Sequence, residues 1–147
     1  YWGLVVIPAV LLIADRSALQ HVDYGLLMTF VCFFIFSGNM SRIEAVNHII
    51  SALLAKNTLL VSIASCQFIS NVPSAILLSE FTENYRALLY GVNIGGTGTI
   101  IASLASLITF RQYCAAEPGG AKKYLLHFSA FNFAFLIIMT VICYALL

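Results

Sequence analysis

Apolar runs separated by short polar turns make up almost the whole chain. Residues 1–14 read YWGLVVIPAVLLIA, residues 24–41 are uncharged and rich in Phe, residues 57–79 and 87–110 carry no charge, and residues 124–147 close the chain without one. A helix needs roughly 20 apolar residues to cross a bilayer. The pattern predicts an all-α integral membrane fold. It has a partial span over 1–14, a polar turn over 15–23, a span over 24–40, and an amphipathic surface helix over 41–55. A re-entrant hairpin over 57–79, a broken span over 85–110 and a last span over 124–147 follow.

The 41–55 stretch differs from the rest because its apolar residues recur at helical spacing. Ile43, Val46, Ile49, Ile50, Leu53 and Leu54 share one side, and Arg42, Glu44, Asn47 and His48 take the others. That pattern suits a helix lying at a membrane surface. Ser41 and Glu44 stand at the spacing of a capping box.

Two runs have centres unsuited to a plain helix. In the first, Ser70-Asn71-Val72-Pro73 interrupts the apolar pattern. Pro73 lacks a backbone donor and disfavours helical geometry at Val72. A hairpin with arms 58–68 and 74–79 and a tip at 70–73 fits, and a Pro-kinked spanning helix is the alternative. In the second, Gly91, Asn93, Gly95, Gly96 and Gly98 crowd together. Each interior Gly costs roughly 1 kcal/mol against Ala. Unwound backbone survives at membrane depth only where protein buries it or it lines a wet cavity.

Composition sharpens this picture. Of 147 residues, 61% are hydrophobic and 9% charged, with a net charge of +1, and the mean hydropathy is +0.97. Soluble domains average about 25% charged residues. The near-neutral balance gives no electrostatic footprint for nucleic acid. The chain begins at Tyr1 and not Met, and is expected to be part of a larger polypeptide. Tyr1 and Trp2 are candidate interfacial anchors. Cys32, Cys66, Cys114 and Cys143 have no zinc or CxxC spacing. Cys32, Cys66 and Cys143 fall in apolar runs and are expected to be small buried hydrophobes. Arg111, Lys122 and Lys123 place their loop on the cytoplasmic side by the positive-inside tendency, so the hairpin opens outward.

Candidate chemistry lies in the two interrupted runs. Ser70, Asn71, Pro73 and Ser74 form one set, and Asn93, Gly95, Gly96, Thr97, Gly98 and Thr99 the other. Hydroxyls, amide oxygens and unwound carbonyls are neutral oxygen ligands that suit Na⁺, with Ser70, Asn71 and Thr97 as the candidates. A half-helix starting near 97–99, capped by Thr97 or Thr99, would turn its positive end toward an anion. A dinucleotide fingerprint fails, because its last Gly would have to stand at Ile101. The six acids sit in loops or at span ends. No paired intramembrane carboxylates or metal-protease motif is present, so no enzyme, metal centre or cofactor beyond Na⁺ is expected. Gly, Ser and Thr at such positions also serve plain helix packing.

The two motifs, in this order, resemble the ion transporter superfamily of arsenite permeases, sodium–proton antiporters and citrate or dicarboxylate symporters. VDYGLLMTFVCFFIFSGNMSRIEAV is similar to that family's helix and surface helix, SNVPSAILL to its hairpin tip, and GVNIGGTGTIIASLASL to its second broken helix. The resemblance covers residues 22–110. It implies two inverted repeats, each with a re-entrant hairpin and a broken helix, of which this chain is the C-terminal one, lacking its N-terminal partner. Ser70 and Asn71 match the first two residues of the symporters' Ser-Asn-Thr tip, and Val72 departs at the third. Asn71 and Pro73 match the arsenite-permease branch. Cys66 stands where the symporters have Ser.

The reading is a secondary transporter in a bacterial-type inner membrane. It would move a small anion, an oxyanion or carboxylate, with Na⁺ or H⁺ as coupling ion, by an elevator-like motion and as a potential homodimer. The alternatives are a Na⁺/H⁺ antiporter of the same fold, and a non-transporting membrane subunit whose glycines only pack helices.

Overall fold

The computed structural model describes residues 2–14 and 24–146, all helical or irregular, with no strand among them. The expected turn over 15–23 and the proposed anchor Tyr1 lie outside the described residues. The chain divides into two compact units, Tyr1–Cys32 and Phe33–Leu147. In the first, α1 (Trp2–Ala14) leaves Trp2, Val5, Ile7 and Ile13 exposed. Also in this unit, early α2 (Tyr24–Met40) bonds the Thr29 hydroxyl back to the Gly25 carbonyl at 2.9 Å.

The second unit is built around α3 (Glu44–Ile69). This helix is not continuous. Asn57 takes an extended conformation, φ −162° and ψ 91°, and splits it into 44–56 and 58–69. The Asn57 side chain then caps the second half, accepting from the Leu60 amide at 2.9 Å. The expected Ser41–Glu44 capping box does not form. Ile43 is the N-cap and offers no side-chain bond. The Ser41 hydroxyl instead donates to Gly38 at the end of α2, so the preceding helix takes the group the cap needed.

After α3 the chain reverses. Helix α4 (Asn71–Ser79) returns along the arm 58–69, and the Ser65 and Ser74 hydroxyls meet at 2.9 Å across the two arms. Farther from the tip, Leu54 packs with Leu78 and Phe81, and the Ser51 hydroxyl donates to the Phe81 carbonyl at 3.4 Å. A straight helix would hold residues so far apart in sequence tens of ångströms apart. The tip is narrower than the sequence suggests: one residue, Ser70, lies between the helices. Pro73 sits inside the first turn of α4, where a missing amide hydrogen costs nothing.

Helix α5 (Tyr85–Gly95) begins at an Asn84 cap on the Ala87 amide and packs along α3. Its Gly91 and Gly95 press against the arm 58–69. A Cβ at Gly91 would stand 2.6 Å from Ser62 Cβ, and one at Gly95 would stand 2.9 Å from Cys66 Sγ. A short 3₁₀ turn (Ile100–Ala102) and α6 (Leu104–Ala116) follow. Gly119, with φ +96°, makes the turn into α7 (Ala121–Leu146). Helix α7 starts at Ala121, before the expected Tyr124, and takes Lys122 and Lys123 into its first turn. Tyr124 stacks with Phe128 and Tyr113 where α6 and α7 meet.

Two buried clusters flank the arm 58–69. Leu54, Cys66, Leu78, Phe81, Leu88 and Val92 join α3, α4 and α5. Leu59, Ile63, Ile94 and Cys143 join α3 and α5 to α7. Among the described residues, α7 is an unbroken helix long and apolar enough to cross a membrane, and α3 reaches that length only across its break at Asn57. Leu126, Phe131, Ile137 and Val141 leave α7 broadly apolar and exposed. Cys66 and Cys143 are buried as expected, whereas Cys32 is exposed.

Candidate functional site

The two helix interruptions come together. Ser70, between α3 and α4, has φ 72° and ψ 159°. That region of conformational space is essentially reserved for Gly and costs a residue with a side chain about 1–3 kcal/mol. Its hydroxyl donates to the Ala102 carbonyl at 3.3 Å, which ties the tip to the 3₁₀ turn. Asn71 follows, half-buried. Its carboxamide lies against Gly96, where a Cβ would stand 3.0 Å from Asn71 Nδ2. Among the described residues the Asn71 side chain has no hydrogen-bond partner.

The second break runs from Gly96 to Ser103. Gly96 and Thr97 close the end of α5 by donating to the Val92 and Ile94 carbonyls, and the Thr97 hydroxyl also donates to Ile94 at 2.6 Å. Gly98 takes φ +109°. The Thr99 hydroxyl donates to the Gln67 carbonyl at 3.1 Å. The expected half-helix starting at 97–99 is not formed. Helix α6 starts at Leu104 after an extended Ser103, and Thr99, at the N-cap of the 3₁₀ turn, makes no side-chain cap bond. Both hydroxyls are drawn instead to nearby carbonyls, an ordinary competitor of capping for Ser and Thr.

Gln67 binds the two breaks together, and sequence reasoning passed it over. Its Nε2 donates to the carbonyls of Ile63 at 3.1 Å, Gly95 at 2.8 Å and Thr97 at 3.2 Å. Its Oε1 accepts from the Thr99 amide at 2.9 Å. The available signal was a lone long amide one turn before Ser70, inside an apolar run and opposite a Gly-rich one. A Cβ at Gly98 would collide with Gln67 Oε1, so the glycine makes room for the glutamine.

Ser70, Asn71, Gly96, Thr97, Gly98 and Thr99 therefore share one place, with Gly95 at its edge serving mainly as packing surface. Ser74 is fully buried and bonded to Ser65, between the hairpin arms, and Pro73 is buried beside it. Asn93 is elsewhere. It is exposed, bonds back to the Leu89 carbonyl at 2.7 Å, and lines a cleft of about 340 Å³ between α5 and α7 with Arg86, Tyr90, Phe135 and Cys143. At Thr97, an expected Na⁺ ligand, the hydroxyl donates to the Ile94 carbonyl and the carbonyl accepts from Gln67.

No family model matches the chain, and no solved structure matches it. Curated relatives do. The chain is 41% identical over 110 residues to a protein of Methanocaldococcus jannaschii named uncharacterized transporter MJ0456; the match covers 74% of this chain and 30% of that one. It is 35% identical over 114 residues to inner membrane protein YbiR of Escherichia coli, covering 76% of this chain and 31% of that one. This chain is similar to membrane proteins. It spans about a third of the length of the relatives it matches.

Proposed function

We propose that this chain is the C-terminal repeat of a multi-pass secondary transporter that moves a small anion, an oxyanion or carboxylate, in exchange or symport with H⁺ or Na⁺. The observation that carries the reading is the uncommitted Asn71 carboxamide at the meeting of two helix breaks, each inside an otherwise apolar segment. In this reading the hairpin of α3 and α4 re-enters the membrane, and residues 41–55 lie at its surface with Ile43, Ile49 and Leu53 toward lipid. The exposure of those three side chains supports that placement. Asn71 donates its amide to the solute and Ser70 holds the tip against Ala102. The hairpin, held to the second break by Gln67, moves with it as one body during alternating access. The names of both relatives support a membrane location, and one of them supports transport.

The test uses the full-length protein in proteoliposomes. Uptake of arsenite, citrate, succinate and phosphate is followed with Na⁺ and pH gradients imposed separately. Gradient-driven uptake of at least one anion, lost in N71A, is the expected result. A Na⁺ or H⁺ flux without any anion would favour the antiporter instead. The packing contacts at Gly91 and Gly95 favour a second reading, a subunit that moves nothing. A folded protein that shows no anion uptake and no Na⁺ or H⁺ flux under either gradient would favour that one.

A further inference from the structure

Three backbone carbonyl oxygens converge on a single atom at the second break. Those of Ile63, Gly95 and Thr97 lie 3.1, 2.8 and 3.2 Å from Gln67 Nε2. Carbonyls only accept, so the atom among them is the amide nitrogen. The Thr99 amide only donates, so the atom it meets at 2.9 Å is the oxygen. The orientation of the carboxamide is thus fixed by its partners, not by choice. Carbonyls released by an unwound membrane helix are the groups that elsewhere surround an alkali cation. Here two such carbonyls, of Gly95 and Thr97, and the Ile63 carbonyl from within the helical arm 58–69 surround a neutral donor that carries two hydrogens and a partial positive charge. A Cβ at Gly98 would collide with Gln67 Oε1, so the glycine leaves the carboxamide its space.

We propose that the Gln67 carboxamide is a built-in substitute for a bound alkali cation, holding the loop 95–99 closed without Na⁺. The inference rests on reading the two breaks as a transport site, and it takes the cation out of one place in that site. A Na⁺ ion entering among these carbonyls would have to expel Nε2 and leave it without partners. Any Na⁺ dependence of the whole protein then arises at other residues. Gln67 is a positioning residue in this account, since it acts on the loop and not on the solute.

Cys66 is a natural reporter of the loop. It is fully buried, and the Gly95 backbone lies directly over its sulfur. In the full-length protein with every other cysteine replaced, the rate of Cys66 modification by N-ethylmaleimide is measured in NaCl and in choline chloride. The unsubstituted Gln67 protein is expected to react slowly and equally in both salts. Q67A should react about tenfold faster or more in choline, because the carbonyls lose their donor, and should be slowed again by NaCl. Q67K, whose ammonium supplies the donors itself, should be slow in both. Protection by NaCl with Gln67 in place would overturn the proposal. So would a Q67A rate that is unchanged, or raised equally in both salts. If Q67A fails to fold by size exclusion, Q67E and Q67K decide: the first must need NaCl for slow labelling and the second must not. No solute enters this assay, so a protein that transports nothing would defeat the functional reading and leave this result intact.

Discussion

The two helix breaks differ in what they leave unspent. At the second, from Gly96 to Ser103, most polar groups have partners: the Thr97 and Thr99 hydroxyls, the Thr99 amide, and the Gly95 and Thr97 carbonyls. At the first, a single strained residue makes the whole turn, and the carboxamide beside it has no partner among the described residues. A Gly-rich break has a flexible backbone that settles into its own hydrogen bonds. A one-residue break held by a serine in a glycine conformation has no such freedom. The lesson is that the more conspicuous glycine cluster is spent on its own hydrogen bonds, and the less conspicuous tip carries the unpartnered carboxamide on which the proposed function rests.

Substitutions at the two breaks should therefore separate stability from activity. The largest effect is expected for N71A, which should lower transport about 10- to 100-fold. Hydrogen bonds to charged groups contribute about 1.5–3 kcal/mol, and the melting temperature should barely move. Next is G98A. It forces a side chain onto a φ of +109° and against Gln67, so thermal unfolding should show a loss of about 2–3 kcal/mol. G119A shares a positive φ but meets open space, and should lose only about 1 kcal/mol. Third, S70G should be more stable than S70A by about 1 kcal/mol, because Ala keeps the strain and Gly relieves it. Equal stabilities would mean that the tip stores no strain. The smallest effect lies outside both breaks. The Glu117 carboxylate accepts from the Tyr113 phenol at 2.9 Å and so raises its pKa above the usual tyrosine value. In E117Q a spectrophotometric titration should show the phenol ionising at lower pH, with transport unchanged.

Much of this arrangement was legible in the sequence, for identifiable reasons. Hydropathy alone gave the all-helical class and the long apolar helix α7. Local chemistry gave the interruptions, since Ser-Asn-Val-Pro and a run of glycines are poor helix interiors. What was not legible required partners distant along the chain. Gln67 looked like an isolated polar residue until Gly95, Thr97 and Thr99 closed around it. Ser41 and the two threonines looked like caps, but a nearer carbonyl won each hydroxyl. Asn93, in the same motif as the glycines, is exposed on α5 beside α7 because it stands two residues, about 200° of rotation, from both Gly91 and Gly95, whose face meets α3.

The account depends on Asn71 and Gly96 touching across the two breaks while the solute passes. The direct measurement is a disulfide between N71C and G96C, in the full-length protein in its membrane with all native cysteines replaced. A Cβ at Gly96 would stand 3.5 Å from Asn71 Cγ, within disulfide reach after small adjustment. Because the two breaks move as one body, the account predicts rapid cross-linking with a copper oxidant and the same low uptake before and after reduction. A pair that never cross-links, or uptake that rises on reduction beyond the rate of the N71C single variant, would contradict it.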